Sequence, residues 1–369
     1  MKLVARTAPY IRKHASVSRM MLDVIIALMP VTAFAMYANR WNAIYVLLIS
    51  IGVMLSIELI SHMFIKWPTD MKVKELFTKE GFKKVKDTYT INNILAPLIS
   101  AIIYAMILPA GCSWYVVLVG AIFGILIGKM VFGGLGSNIF NPAAIGRVFV
   151  AIAFGSKLNE AYPTQAAYDV AIGATPLGVV KSGTLASVNQ FSLVDMFLGN
   201  IPGSMGEVSA LCILIGGIYL FARRSADLRA ALSYLLSFAA IMFVAVLSFN
   251  LKHNEGDIFR LWAYQCLAGG VFFAGVFMIT DPVTSPITKF GRICYGALAG
   301  AITVLIRVSG AYPEGAAFSI IIANTFTPLF DYLMRGKPNT YTWKQCLILG
   351  SSVVVIMAIV SASVVGGWF

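Results

Sequence analysis

Apolar residues in this chain come in long continuous stretches, without the two-residue alternation of a half-buried strand. Eleven stretches stand out, near 21–38, 43–65, 91–109, 115–132, 141–155, 206–222, 230–249, 263–279, 295–310, 316–333 and 346–365. A helix needs about 20 mostly apolar residues to cross the hydrocarbon core of a bilayer. Several runs are short for that purpose and carry Gly, Pro or Asn, which predicts broken or re-entrant helices around a polar interior. The pattern predicts an all-α polytopic integral membrane protein with about 10–11 transmembrane helices.

The connections between runs divide the chain. Residues 1–20 form an N-terminal segment, 21–155 a first membrane repeat and 206–333 a second. Between them lies 156–205, the longest stretch without a span, and 334–369 is a tail with an extra span. Five runs per half is an odd number, so the second half enters the membrane inverted relative to the first. An inverted repeat places its functional sites where interrupted helices meet near the midplane. Two interruptions are expected. One is the glycine-rich string from Gly133 to Pro142, and the other runs from Glu314-Gly315 through Asn324 to Pro328.

Charge adds the orientation. With the N-terminus inside, the inner segments hold 20 Lys and Arg and the outer ones six. That is the positive-inside pattern. It places the chain in the cytoplasmic membrane with its N-terminus cytoplasmic and loop 156–205 outside. The first run then reads as a signal-anchor span, since a long basic stretch precedes it and many spans follow. The net charge of +12 has the same origin. No nucleic-acid partner is expected, because no soluble domain exists to present a basic face. Segment 66–90 carries seven Lys among Asp70, Glu75, Glu80 and Asp87. It reads as a solvated loop that fixes topology, or as a docking face for an acidic partner or anionic lipid headgroups.

Composition closes off other classes. The chain is 59% apolar and only 12% charged, about half the charged share of a soluble domain. That excludes an ordinary soluble enzyme, a disordered chain and a disulfide scaffold. Cys112, Cys212, Cys266, Cys294 and Cys346 are scattered, with no CxxC pair to hold zinc or an iron–sulfur cluster. His14, His62 and His253 are too far apart to suggest bis-histidine haem. No metal set is predicted, and any redox chemistry needs an organic cofactor or a partner. Ionisable residues inside spans are functional candidates by default. They are Asp23, Glu58 with His62 one helical turn on, Arg147, and Asp281 beside Thr284 and Ser285.

Two strings carry candidate chemistry. Asp169-Val170-Ala171-Ile172-Gly173-Ala174-Thr175-Pro176-Leu177 lies on the outer loop and by composition is a turn of small residues. The second is the 133–142 string. Its glycine spacing is not that of a nucleotide loop. As a broken helix it would aim the Asn138 and Asn141 amides at a polar ligand, or would use them to cap the two half-helices.

The first string resembles the flavinylation motif of the NqrB/RnfD family. That family contains the RnfD protein of the Rnf electron transport complex and the NqrB protein of the Na⁺-translocating NADH:quinone reductase. Asp169, Gly173, Ala174 and Thr175 match the motif, and Ile172 stands where Ser or Thr is usual. Four further blocks are similar to the same family, in the same order. They are Ser18 to Pro30, Phe132 to Arg147, Thr280 to Pro286, and Glu314 to Tyr332. The short N-terminal extension resembles the RnfD branch more than the quinone-reductase branch.

The resemblance implies a flavin-bearing membrane subunit of an ion-translocating ferredoxin:NAD oxidoreductase, a redox-driven translocase that is not catalytically complete alone. It implies FMN joined to Thr175 by a phosphoester, added by a flavin transferase, and noncovalent riboflavin near Asn138 and Asn141. Partners would be the other Rnf subunits and membrane lipid, with Na⁺ or H⁺ as the coupled ion. Two other readings stay open: the NqrB component of a quinone reductase, and a urea-channel-like solute transporter with no redox role.

Overall fold

A computed structural model describes residues 16–65, 89–162, 175–181, 191–253, 257–310, 314–334, 351 and 355–364. Asp169, Gly173, Ala174, most of segment 66–90 and the tail between 335 and 350 lie outside the described residues. Those described are helical, with no strand among them.

The elements are α1 (Val17–Ile65), α2 (Ile91–Met106), α3 (Trp114–Gly128), α4 (Pro142–Ala153) and α5 (Gly155–Glu160). Then come α6 (Pro176–Lys181), α7 (Leu193–Leu198), α8 (Ala210–Arg223) and α9 (Leu228–His253). The last are α10 (Ile258–Leu267), α11 (Val271–Phe273) with a π-helical continuation over Ala274–Met278, α12 (Lys289–Ser309), α13 (Ala316–Leu333) and α14 (Val355–Val364). Each of the eleven apolar runs carries a helix. By length and composition five helices could cross a membrane singly, and α10 with α11 makes a sixth, bent span. The chain is an all-α, multi-pass membrane protein.

α1 holds two of the predicted runs. A straight helix of 49 residues would be about 74 Å long, more than twice the hydrocarbon thickness. Arg40 breaks it, with φ 48° and ψ −126°. Tyr37 and Trp41 beside the break are 83% and 79% exposed, which suits aromatic anchors at a membrane surface.

Close packing rests on small residues, because lipid tails are as apolar as Leu and burial alone does not drive helices together in a bilayer. α3 and α4 meet through Gly120, Gly124 and Gly128 against Gly146 and Pro142. α12 meets α9 through Gly296 and Gly300 against the Ala230 and Tyr234 backbone. α1 meets α8 where Gly216 lies on the Ala27 carbonyl. A Cβ at Gly124 would stand 2.7 Å from the Pro142 carbonyl oxygen and 3.2 Å from Gly146 Cα, both backbone atoms. Gly124→Ala is therefore expected to push α3 off α4 and to cost about 1–3 kcal/mol. A lowered melting temperature in detergent is the readout. Gly52→Ala, where nothing lies within 4 Å, should leave it unchanged.

The first predicted interruption is present. After α3 a single 3₁₀ turn over Met130–Phe132 gives way to Gly133, Gly134 and Gly136 at φ 110°, 89° and 83°. Side chains rarely tolerate those angles. Asn141 then caps α4, accepting from the Ala143 and Ala144 amides, with Pro142 in the first turn.

The second interruption is not where the sequence suggested. α13 runs unbroken across Asn324, with Pro328 inside it. The break in the second half falls at Ala268-Gly269-Gly270, where α10 and the α11 segment bend by 56°. Gly269 takes φ 72° there. One proline removes one helical donor and is tolerated in such a helix. A left-handed residue followed by a second glycine ends the helix outright.

Candidate functional site

Two hollows flank the π-helical segment. The glycine-break cleft is lined by Lys129, Asn138, Asn141, Asp281, Met20 and Phe277, among others, and its volume is ≈ 160 Å³. The Thr175 cavity is larger, ≈ 410 Å³, and is lined by Arg147, Tyr162, Thr175, Glu207, Gly270 and Glu314, among others. Met278 belongs to both surroundings. It lines the Thr175 cavity, and its carbonyl accepts from Asn141 Nδ2 at 3.5 Å.

In the cleft, Asn141 is committed to the backbone. Its Oδ1 accepts from Ala143 N at 3.0 Å and Ala144 N at 3.3 Å. Asn138 donates to the Phe140 carbonyl at 3.4 Å, and its Oδ1 accepts no hydrogen bond from the described residues. Lys129 follows the end of α3 and reaches Glu58 on α1 at 2.9 Å, with side chains only 4% and 3% exposed. Glu58 thus pairs with Lys129, and His62 instead meets the Tyr89 ring edge-on at 5.1 Å. Asp281 organises the turn after the π segment, accepting from Val283 N at 3.1 Å and Thr284 Oγ1 at 3.3 Å. Asp23 binds Tyr219, Ser225 and Arg223, which pins the start of α1 to the end of α8.

In the Thr175 cavity, Arg147 donates to Glu314 at 3.2 Å and to the Tyr162 hydroxyl at 3.3 Å. Tyr162 in turn donates to the other Glu314 oxygen at 3.5 Å. Thr175 is half-buried at the head of α6, and its Oγ1 accepts from Gly178 N at 3.2 Å. α6 is anchored on the second break. Tyr264 donates to the Pro176 carbonyl at 3.1 Å, and Leu177 packs beside Gly269. The break itself is held by Arg307, whose two NH groups reach the Gln265 carbonyl at 2.7 Å and the Ala268 carbonyl at 2.9 Å. The same guanidinium sits 4.9 Å from the centre of the Phe238 ring.

The sequence matches the NQR2, RnfD, RnfE family over residues 4–340. The chain belongs to that family. It is 33% identical over 340 residues to the D subunit of the Na⁺-translocating ferredoxin:NAD⁺ oxidoreductase complex of Acetobacterium woodii, covering 91% of this chain and 95% of that one. It is 32% identical over 365 residues to the B subunit of the Na⁺-translocating NADH-quinone reductase of Haemophilus influenzae, covering 88% and 86%. To the protein of that same name from Chromohalobacter salexigens it is 39% identical over 239 residues, 63% of this chain and 57% of that one. These relatives are subunits of redox-driven, ion-translocating oxidoreductase complexes.

Within this family member, the structure separates the candidate residues into two places. Thr175 opens on the larger cavity, and Asn138 and Asn141 border the smaller cleft. For a noncovalent flavin the cleft offers Lys129 and Asn138 as polar partners and an apolar wall including Met20 and Phe277. Its present volume lies below the ~300–1,000 Å³ of sites that enclose a ligand of that size. The donor set fits a flavin edge, and the space as it stands takes only part of a ring system.

The sequence alone did not single out Glu207, Glu314 or Tyr162 as cavity residues, nor Arg307, which lies in the 295–310 run. All four are buried or nearly so. A lone acid at Met205-Gly206-Glu207-Val208, at the edge of an apolar run, was the available signal. Between α8 and α9, Asp227 pairs with Arg292. Burial alone would raise the Asp227 pKa, but the Arg229 amide and the Arg292 guanidinium hold it below the ordinary carboxylate value.

Proposed function

We propose that this chain is the flavin-carrying membrane subunit of an Rnf-type ion-translocating ferredoxin:NAD oxidoreductase, with FMN esterified to Thr175 and riboflavin at the glycine-break cleft. Its partners are the other Rnf subunits, and a flavin transferase matures it. It sits in the cytoplasmic membrane with its N-terminus cytoplasmic and loop 156–205 outside, the arrangement favoured by the Lys and Arg distribution. The coupled ion is Na⁺ or H⁺.

One observation carries this reading. The residue that matches the family's flavin acceptor is neither buried in the core nor isolated on a loop. The residue lines a cavity that reaches into the bundle, and its hydroxyl accepts from Gly178 N. A bound flavin supplies electron-transfer chemistry that no side chain of this chain can supply. The protein's own task is positional. Thr175 provides the attachment oxygen, and Tyr264 and Leu177 fix the start of α6 against the second break. At the cleft, Lys129 and Asn138 are the groups able to hold a polar ring edge, while Asn141 maintains the re-entry of the chain into α4.

The test is in-gel flavin fluorescence of denatured protein coexpressed with a flavin transferase. Wild type should fluoresce and Thr175→Ala should be dark. A dark wild type would refute the covalent assignment and would point to Ile172 as the residue that disables the motif. A second reading, the NqrB component of a quinone reductase, is favoured by the Haemophilus relative. Turnover of the purified complex separates the two, since Rnf-type activity reduces NAD⁺ from ferredoxin and the alternative requires a quinone.

A further inference from the structure

We infer that the pocket between the end of α8 and the start of α9 binds the headgroup of an anionic phospholipid, with Arg224, Arg229 and Arg292 holding its phosphate. The inference goes beyond the redox role and needs no flavin.

The pocket has a volume of ≈ 540 Å³ and adjoins the glycine-break cleft, sharing Met20, Ser225 and Pro282 with it. It is lined by three arginines, Arg224, Arg229 and Arg292, and by one acid, Asp227, which leaves two positive charges in excess. Arg292 spends Nε on the Pro286 carbonyl and one Nη on Asp227, and its other Nη bonds to none of the described residues. Arg224 and Arg229 are exposed and form no ion pair among the described residues. Nearby, Asp23 is paired with Arg223, and Asp281 lines the neighbouring cleft with Lys129, so neither acid cancels the excess.

Both free arginines stand where the backbone alone favours another residue. Arg224 ends α8 with φ 58°, and the Ser225 amide bonds back to the Leu220 carbonyl. The left-handed residue of such a helix-ending turn is usually Gly, because a Cβ is strained there. Arg229 lies in the first turn of α9, where the positive pole of the helix favours an acid. A bound phosphate removes the second conflict and gives both guanidinium groups a charge-assisted partner.

An apolar track leads away from this charge. Leu228 and Leu232 line the pocket beside Met20 and Phe221. Leu228, Leu232 and Leu236 are exposed at four-residue steps along one face of α9. Acyl chains can lie along those leucines while the phosphate sits among the arginines, a use that a free phosphate would not have for them. Basic pockets between spans on the cytoplasmic side suit such headgroups, and this loop lies on the face proposed above as cytoplasmic.

The test follows the melting temperature of the delipidated full chain in detergent as lipid is titrated in. Dioleoyl phosphatidylglycerol should raise it for the wild type. Dioleoyl phosphatidylcholine, with the same chains and no net charge, should not. Arg224→Gly combined with Arg229→Gln should bind phosphatidylglycerol about 30-fold more weakly, at about 1 kcal/mol per arginine. Without lipid that variant should melt no lower than the wild type, because Gly suits the turn at 224. Lys252→Gln, at the far end of α9, should bind as the wild type does. Undiminished binding by the double variant, equal shifts with both lipids, or an equal loss in Lys252→Gln overturns the proposal. A shift that inorganic phosphate reproduces overturns the lipid assignment. If the double variant does not fold, Arg224→Gly alone should lose about fivefold, and no loss there overturns the proposal equally.

Discussion

Replacing Lys129 with Met should leave little folded protein, because Glu58 would stay buried without its ion-pair partner. The pair spans α1 and the end of α3 at 2.9 Å, and both side chains are almost wholly enclosed. Removing one partner of such a pair costs about 3–5 kcal/mol, since the survivor must stay charged out of water or be neutralised. Glu58 is already under-served, as its Oε2 has no hydrogen-bond partner. The measurement is the yield and melting temperature of monodisperse protein in detergent. The double variant Lys129→Met with Glu58→Met should recover most of the loss, because an apolar pair of similar volume replaces a buried ion pair at little net cost. The recovered double variant then separates two roles. Lys129 also lines the glycine-break cleft, so a folded double variant that no longer retains noncovalent flavin assigns Lys129 to the ligand as well as to the fold. If Lys129→Met alone melts like the wild type, the buried pair does not have the structural weight given to it here.

Arg307→Met should be nearly as damaging, for a different reason. The Gln265 and Ala268 carbonyls are backbone groups at the end of a helix that stops inside the protein, and Arg307 is their side-chain donor. Each buried carbonyl left without a donor costs about 1–3 kcal/mol. The loss should spread to α6, because Leu177 packs at Gly269 and Tyr264 holds Pro176. The expected result is a lower melting temperature together with reduced flavin attachment at Thr175 in whatever protein survives. Arg307→Lys should be intermediate, since one ammonium replaces the planar guanidinium fork poorly. An Arg307→Met protein with wild-type stability and full flavin loading would remove Arg307 from the account of the break.

Much of this protein was legible in the order of its residues. Long apolar runs fix helices in a bilayer because the backbone must satisfy its own hydrogen bonds there, and every predicted run carries one. The Gly133-to-Pro142 interruption was equally legible. Consecutive left-handed glycines, a capping Asn and a first-turn Pro are local instructions that need no tertiary context. Local signals misled at Asn324 and Pro328, where α13 runs on without a break. They were too weak at Gly269-Gly270, a pair with no capping residue beside it.

Which charged groups meet was beyond the sequence altogether. Glu58 has a histidine one turn away, yet its partner is 71 residues further on. Arg147 and Glu314 are 167 residues apart, and nothing along the chain marks Arg307 as the donor that holds the broken helix. Helix formation is set by neighbours along the chain and was readable from it. The cavity, its buried ion pairs and the position of Thr175 at its wall depend on which helices pack, and only the tertiary structure decided that.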